Sequence, residues 1–109
     1  MIVPSQVRIW LDDQIDDPET PDRHVPIGFV GARSSTEAIF LVNLNGLPEF
    51  LDLDHDLGGP DTAMQFLYWL ARTFPDGPVP GYRVHSQNPV GALNIEAFMR
   101  SWQKSTFIK

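Results

Sequence analysis

The stretch "FLDLDHDLGG", Phe50 to Gly59, decides the fold. Its first half alternates apolar and polar residues, and with the preceding Pro48-Glu49 it reads as a strand running to Asp54. Leu51 and Leu53 fall on one side of that strand and should face the core, because side chains alternate along extended chain. The second half leaves the core as Asp54, His55 and Asp56. Gly58, Gly59 and Pro60 then form a turn, and Asp61 stands ready as the N-cap of a helix. In that helix Ala63, Phe66, Leu67, Leu70, Ala71 and Phe74 recur at helical spacing, which predicts an apolar face packed on the sheet.

The same strand-then-helix rhythm extends outward in both directions. "VRIWL", Val7 to Leu11, reads as a first strand that stops at Asp12-Asp13. Residues 14–26, "QIDDPETPDRHVP", contain three prolines and several acids without periodicity and read as an acidic surface loop. "IGFVGAR" adds a short extended piece. Ser34 stands three residues before Glu37, the spacing of a capping box, and predicts a helix from about Ser35 to Leu44 closed by Asn45-Gly46. Pro75 to Gly81 is a turn-rich connection. "YRVHS", Tyr82 to Ser86, follows as another strand, and "NPVG" interrupts the chain before a last helix from about Ala92 to Lys104, whose Ile95, Phe98, Met99 and Trp102 share a face. "TFIK" at the end suits a short terminal strand. Strands separated by helices of this length imply right-handed crossovers and a mostly parallel α/β sheet.

Composition narrows the function. The 109 residues make one domain, 1–109, with 42% hydrophobic residues for a core. A formal net charge of -6 excludes duplex DNA as a partner, since such a face must neutralise phosphates. Any phosphate ligand then needs local help such as a metal ion. The absence of cysteine removes disulfides and thiolate metal sites. "MIVPSQVRIWLDDQ" lacks the pattern of a signal peptide, and no apolar run reaches membrane-spanning length, so no membrane partner is expected and a cytoplasmic location is.

Ligands of open parallel sheets bind beyond the carboxyl ends of the strands. Polar clusters fall at those ends: Asp12-Asp13, then Asp54-His55-Asp56, then His85-Ser86-Gln87-Asn88. Acids crowded into one crevice need a hard cation, a shared proton or an opposing positive charge. Mg²⁺ or Mn²⁺ held by Asp12, Asp13 and Asp54, with Asp56 beside them, meets that need. His55 and His85, together with Asp54, are the candidates for moving protons, one histidine as base and the other as acid. They could instead ligate Mn²⁺ or Zn²⁺. Ser86 and Asn88 offer polar contacts to a phosphate, and Gly91 opens the approach to the last helix. The plainer reading of Asn88-Pro89 is a turn capped by Ser86. Asp52 either orients a ligand from behind or faces solvent on an edge strand, the latter being the simpler expectation. The acidic loop lacks the glycine and terminal glutamate of an EF-hand, and neither standard glycine-rich phosphate loop is present.

The run "IWLDD", "ARSSTEA", "LDHDLGG" and "VHSQNPVGALNI" resembles the cyclic-phosphate processing receiver domain, over Val7 to about Trp102. The resemblance implies a small receiver-like (flavodoxin-like) three-layer α/β domain with three to five strands and about three helices. It implies action on cyclic phosphates at RNA ends or in small nucleotide derivatives. It also places Asp12 and Asp13 as a metal-binding pair, Asp54 at a phosphoacceptor position, and Asn94 at a further polar position of the substrate side. Two departures stand out: Gln14 and a long acidic loop follow "LDD" where Glu or Arg is expected, and a receiver's late lysine has no counterpart except Lys109. The leading expectation is a metal-assisted phosphoesterase for a cyclic phosphate, with a cyclic nucleotide or RNA end as partner. The alternatives are a protein that binds and sequesters a cyclic nucleotide without cleaving it, and a degenerate receiver used as a protein interaction module.

Overall fold

A computed structural model of the chain describes residues 5–108. Four strands form one parallel sheet: β1 (Arg8–Leu11), β2 (Val30–Ala32), β3 (Phe50–Leu53) and β4 (Gly81–Val84), in the order β2-β1-β3-β4. Three helices accompany it, α1 (Ser35–Asn45), α2 (Ala63–Thr73) and α3 (Pro89–Ile108). This is the receiver-like α/β arrangement expected from the strand and helix spacing.

Period-two alternation sorts the strand residues onto two faces. Ile9, Leu11, Ala32, Leu51 and Leu53 join Ala38 and Val42 of α1, Phe66, Leu67 and Leu70 of α2, and Ile95, Met99 and Trp102 of α3 in one buried cluster. All three helices therefore cover the same face. The opposite face carries Trp10, Asp52 and Arg83 in cross-strand register, and its third layer is the largely irregular segment between β1 and β2 rather than an α-helix. Ile15, 7% exposed, and Arg23, 6% exposed, turn inward from that segment, so the predicted surface loop is partly a packing element. Gly31 shows how closely it lies: a Cβ there would stand 2.5 Å from Val25 Cγ2 and 2.9 Å from Ile15 Cδ1.

Local chemistry explains most element ends and corrects several expectations. Ser34 Oγ accepts from the Glu37 N–H at 3.1 Å, half of the predicted capping box, while Glu37 reaches back to the Arg33 N–H at 2.8 Å instead of to Ser34. Gly46, at φ 91°, ends α1 by donating to the Val42 carbonyl. Thr62 rather than Asp61 occupies the N-cap of α2. Asp61 is drawn to α1, where it accepts from the Ser35 N–H at 2.9 Å and the Ser35 hydroxyl at 2.6 Å. The last helix begins at Pro89, not Ala92, because Asn88 caps it: Asn88 Oδ1 accepts from the Gly91 N–H at 3.0 Å, and proline suits the first helical position. α3 also continues through Thr106 to Ile108, where a terminal strand was expected; Lys109 lies outside the described residues. Among the described residues no helix is long and apolar enough to cross a membrane.

Candidate functional site

Three residues extend the sheet ladder one step beyond its strands. The Asp12 N–H donates to Ala32 O at 3.0 Å, the Asp54 N–H to Leu11 O at 2.9 Å, and the His85 N–H to Leu53 O at 2.9 Å. That register lines up the first, second and third polar clusters at one edge of the sheet. Ligand atoms of Asp12, Asp13 and Asp54 all lie within 4.8 Å of one another, with Asp12 and Asp54 buried and Asp13 exposed.

The charge of this trio is opposed from within the chain. Arg23, in a single 3₁₀ turn (Pro21–Arg23), places Nη1 at 2.9 Å from Asp12 Oδ2 and 3.1 Å from Asp54 Oδ2. Its backbone is fixed in turn by the Trp10 indole N–H, which donates to the Arg23 carbonyl at 2.9 Å. The sequence signal for such a counter-ion is an arginine set among the acids of a proline-rich loop, which strand and helix periodicity does not register.

His85 is the second internal cation. Its Nδ1 lies 2.7 Å from Asp52 Oδ1 and its Nε2 3.0 Å from Asp12 Oδ2, and its ring stacks on Trp10 at 3.9 Å with an interplanar angle of 5°. Two carboxylates facing two ring nitrogens favour the doubly protonated ring. Burial works to lower the His85 value, but the hydrogen bonds to Asp12 and Asp52 outweigh it and raise it above 6.5. Asp52 is 0% exposed, and Arg83 Nη2 joins His85 on it at 2.8 Å. The expectation of a solvent-facing Asp52 on an edge strand is therefore overturned: β3 is an interior strand, and Asp52 orients His85 from behind.

The carboxyls respond in opposite directions. Burial acts to raise Asp12, yet hydrogen bonds from His85, the Gln14 N–H and Arg23 hold it below 3.8. Burial and the neighbouring Asp12 charge raise Asp54, with Arg23 and the His55 N–H only partly offsetting them. Asp13 is also raised, first by burial. Asp56 is lowered by the hydrogen bond from His55 and then by that from Asn88.

A polar cleft of about 380 Å³ opens over these groups. Asp13, Gln14, Arg23, Asp54 and Asp56 line it together with Gln87, Asn88 and, at the turn, Gly58. Of the predicted substrate residues, Asn88 lines this cleft, donating through Nδ2 to Asp56 Oδ2 at 3.2 Å while its Oδ1 caps α3. Ser86 accepts from the Asn88 N–H at 3.0 Å and so shapes the turn. His55 sits beside the cleft with Nδ1 2.8 Å from Asp56 Oδ1, its ring pressed against Gly91, where a Cβ would fall 2.4 Å from His55 Cγ. Gly91 is thus required by His55. Asn94 is exposed on the second turn of α3 and is not among the cleft residues.

Residues 7–101 match the family model of the cyclic-phosphate processing receiver domain. The chain belongs to that family. No curated protein and no solved structure gave a match. In this receiver domain the acid pair, the "DHDLG" turn and the "HSQNP" turn, which are far apart in sequence, come together at one sheet edge.

The position of His85 gives the receiver domain a pH signature. Its value is raised on folding, so its contribution to stability is complete below 6.5 and is lost as pH rises through the higher folded value. Thermal melts of the wild type should therefore fall on the alkaline side of that point, and His85→Gln should show a flatter profile there. Parallel profiles would contradict the assigned charge.

Proposed function

We propose that this receiver domain hydrolyses a cyclic phosphate in the cleft, with Asp12, Asp13 and Asp54 holding Mg²⁺ or Mn²⁺. The observation that carries this reading is the convergence of those three acids within 4.8 Å at the edge of a polar cleft. An all-oxygen donor set suits a hard dication. Charge agrees: Arg23 reaches Asp12 and Asp54 and His85 reaches Asp12, while the exposed Asp13 makes no ion pair among the described residues, so the acid trio keeps negative charge that a dication would offset. When bound, such an ion supplies Lewis acidity at a phosphate oxygen.

The chain's own residues would do the rest. Asp56 holds His55 through Nδ1, which directs Nε2 to take a proton from water as the water oxygen bonds to phosphorus. The phosphorus–oxygen bond of the ring then opens, and the same proton passes from His55 to the departing oxygen. Asn88 and Gln87 hold the phosphate from the α3 side. His85, with both nitrogens committed, serves as a fixed positive charge behind Asp12 rather than as the second proton carrier.

Incubation with a 2′,3′-cyclic mononucleotide and Mn²⁺, followed by phosphorus NMR, should yield the ring-opened monoester, and chelation should stop it. His55→Ala should slow turnover by ~10²- to 10⁴-fold. A panel of cyclic mononucleotides and cyclic-ended RNAs giving no metal-dependent product would remove the enzymatic reading. The commitment of His85 favours a second reading, binding without cleavage. Calorimetric binding with the ligand recovered unchanged would establish it.

A further inference from the structure

We propose that Arg23 is the residue that grips the substrate phosphate, an assignment that rests on the cyclic-phosphate reading above. A guanidinium carries five N–H donors in a planar fork. Nη1 serves both Asp12 and Asp54, at 2.9 Å and 3.1 Å, while Nε and Nη2 have no partner among the described residues. Arg23 is only 6% exposed, yet it lines the cleft. The one fully buried side-chain polar atom without a partner among the described residues is Trp102 Nε1, so the free nitrogens of Arg23 are not sealed from solvent, and the cleft is the space that Arg23 lines.

A nearly buried, permanently charged fork with unspent donors is costly to leave unmatched, and two phosphate oxygens match it geometrically. The setting reinforces the assignment. Asp13 and Asp56 line the same cleft and repel an anion, and Arg23 is the single basic side chain among the cleft residues. The two carboxylates on Nη1 and the Trp10 bond to the Arg23 carbonyl hold the fork in place before any ligand arrives. Preorganisation of that kind distinguishes a phosphate contact from a surface arginine. Gln87 and Asn88 line the same cleft and offer amides to the remaining oxygens.

The test uses inorganic phosphate and, separately, a 2′,3′-cyclic mononucleotide on the full chain. In carbon- and nitrogen-labelled wild type, titration with phosphate should shift the Arg23 Nε–H resonance, assigned by through-bond correlation with its own backbone and compared with Arg23→Lys. That variant keeps a cation between Asp12 and Asp54 but loses the fork, and should bind phosphate ~10- to 100-fold more weakly. An unmoved Arg23 resonance overturns the assignment, and so does a folded Arg23→Lys variant with wild-type affinity, even if the cyclic nucleotide is bound or cleaved. A shifted Arg23 resonance with phosphate, but no binding or cleavage of the cyclic nucleotide, supports the phosphate contact while rejecting the cyclic-phosphate reading. The wild-type resonance decides the matter if Arg23→Lys fails to fold.

Discussion

His85→Ala should destabilise the domain by about 3–5 kcal/mol, the usual consequence of removing one partner from a buried ion pair. The sequence alone predicts that this substitution spares the fold. The geometry reverses that expectation. Asp12 and Asp52 are both 0% exposed, and each directs an oxygen at a His85 nitrogen. Without the imidazolium, Asp12 retains Arg23 and loses one of its two side-chain cation partners, while Asp52 is left with the exposed Arg83 alone. Trp10 loses its stacked partner in the same step. In a domain of this size the melting temperature should drop by more than ~10 °C. His55→Ala, whose ring is bonded only to the exposed Asp56, should move it far less. Equal melting temperatures for His85→Ala and wild type would show that the network contributes nothing to folding.

Gly91→Ala should reproduce the loss of His55 without touching that residue. The new Cβ would lie 2.4 Å from His55 Cγ, 2.6 Å from Nδ1 and 2.8 Å from Cβ, so the ring must leave its position against α3. Displacement breaks the Nδ1 bond to Asp56 and removes Nε2 from the direction assigned to it. Overpacking of this kind costs about 1–3 kcal/mol. Turnover of a cyclic mononucleotide should fall by ~10²- to 10⁴-fold, as for a lost proton carrier. In the His55→Ala background Gly91→Ala has no ring to displace, so its effects on stability and on rate should both shrink. Additive effects in that double mutant would mean that Gly91 acts on something other than His55.

Some of this was legible in the chain and some was not, for identifiable reasons. The buried strands announced themselves because Leu51 and Leu53 alternate with acids and Ile9 and Leu11 stand in a β-branched and aromatic run, and the convergence of Asp12, Asp54 and His85 follows from parallel topology alone. The partners within the site are another matter. Asp61 looked like a cap because it precedes a helix, yet Ser35, far away in sequence, takes it. Asp52 looked exposed because strand order cannot be read from alternation, and β3 proved to be interior. Asn88 and Pro89 looked like a break because a cap and a turn use the same residues; only the bond from the Gly91 N–H distinguishes them. Arg23 escaped notice because its role depends on how an aperiodic loop folds back across the sheet, which no period encodes.

Between β1 and β2 the described residues hold one 3₁₀ turn and no α-helix, which has its own consequence. A helix of fixed pitch can change length only in steps that rotate whatever follows it, whereas an irregular connection accepts or drops residues one at a time. The positive charge between Asp12 and Asp54 is delivered by such a connection, while the acids themselves sit on the rigid sheet edge. Reach and approach angle of the arginine can therefore vary by insertion or deletion without shifting the acids it meets. The counter-charge at the acids becomes adjustable through the length of one segment, with the strands left as they are.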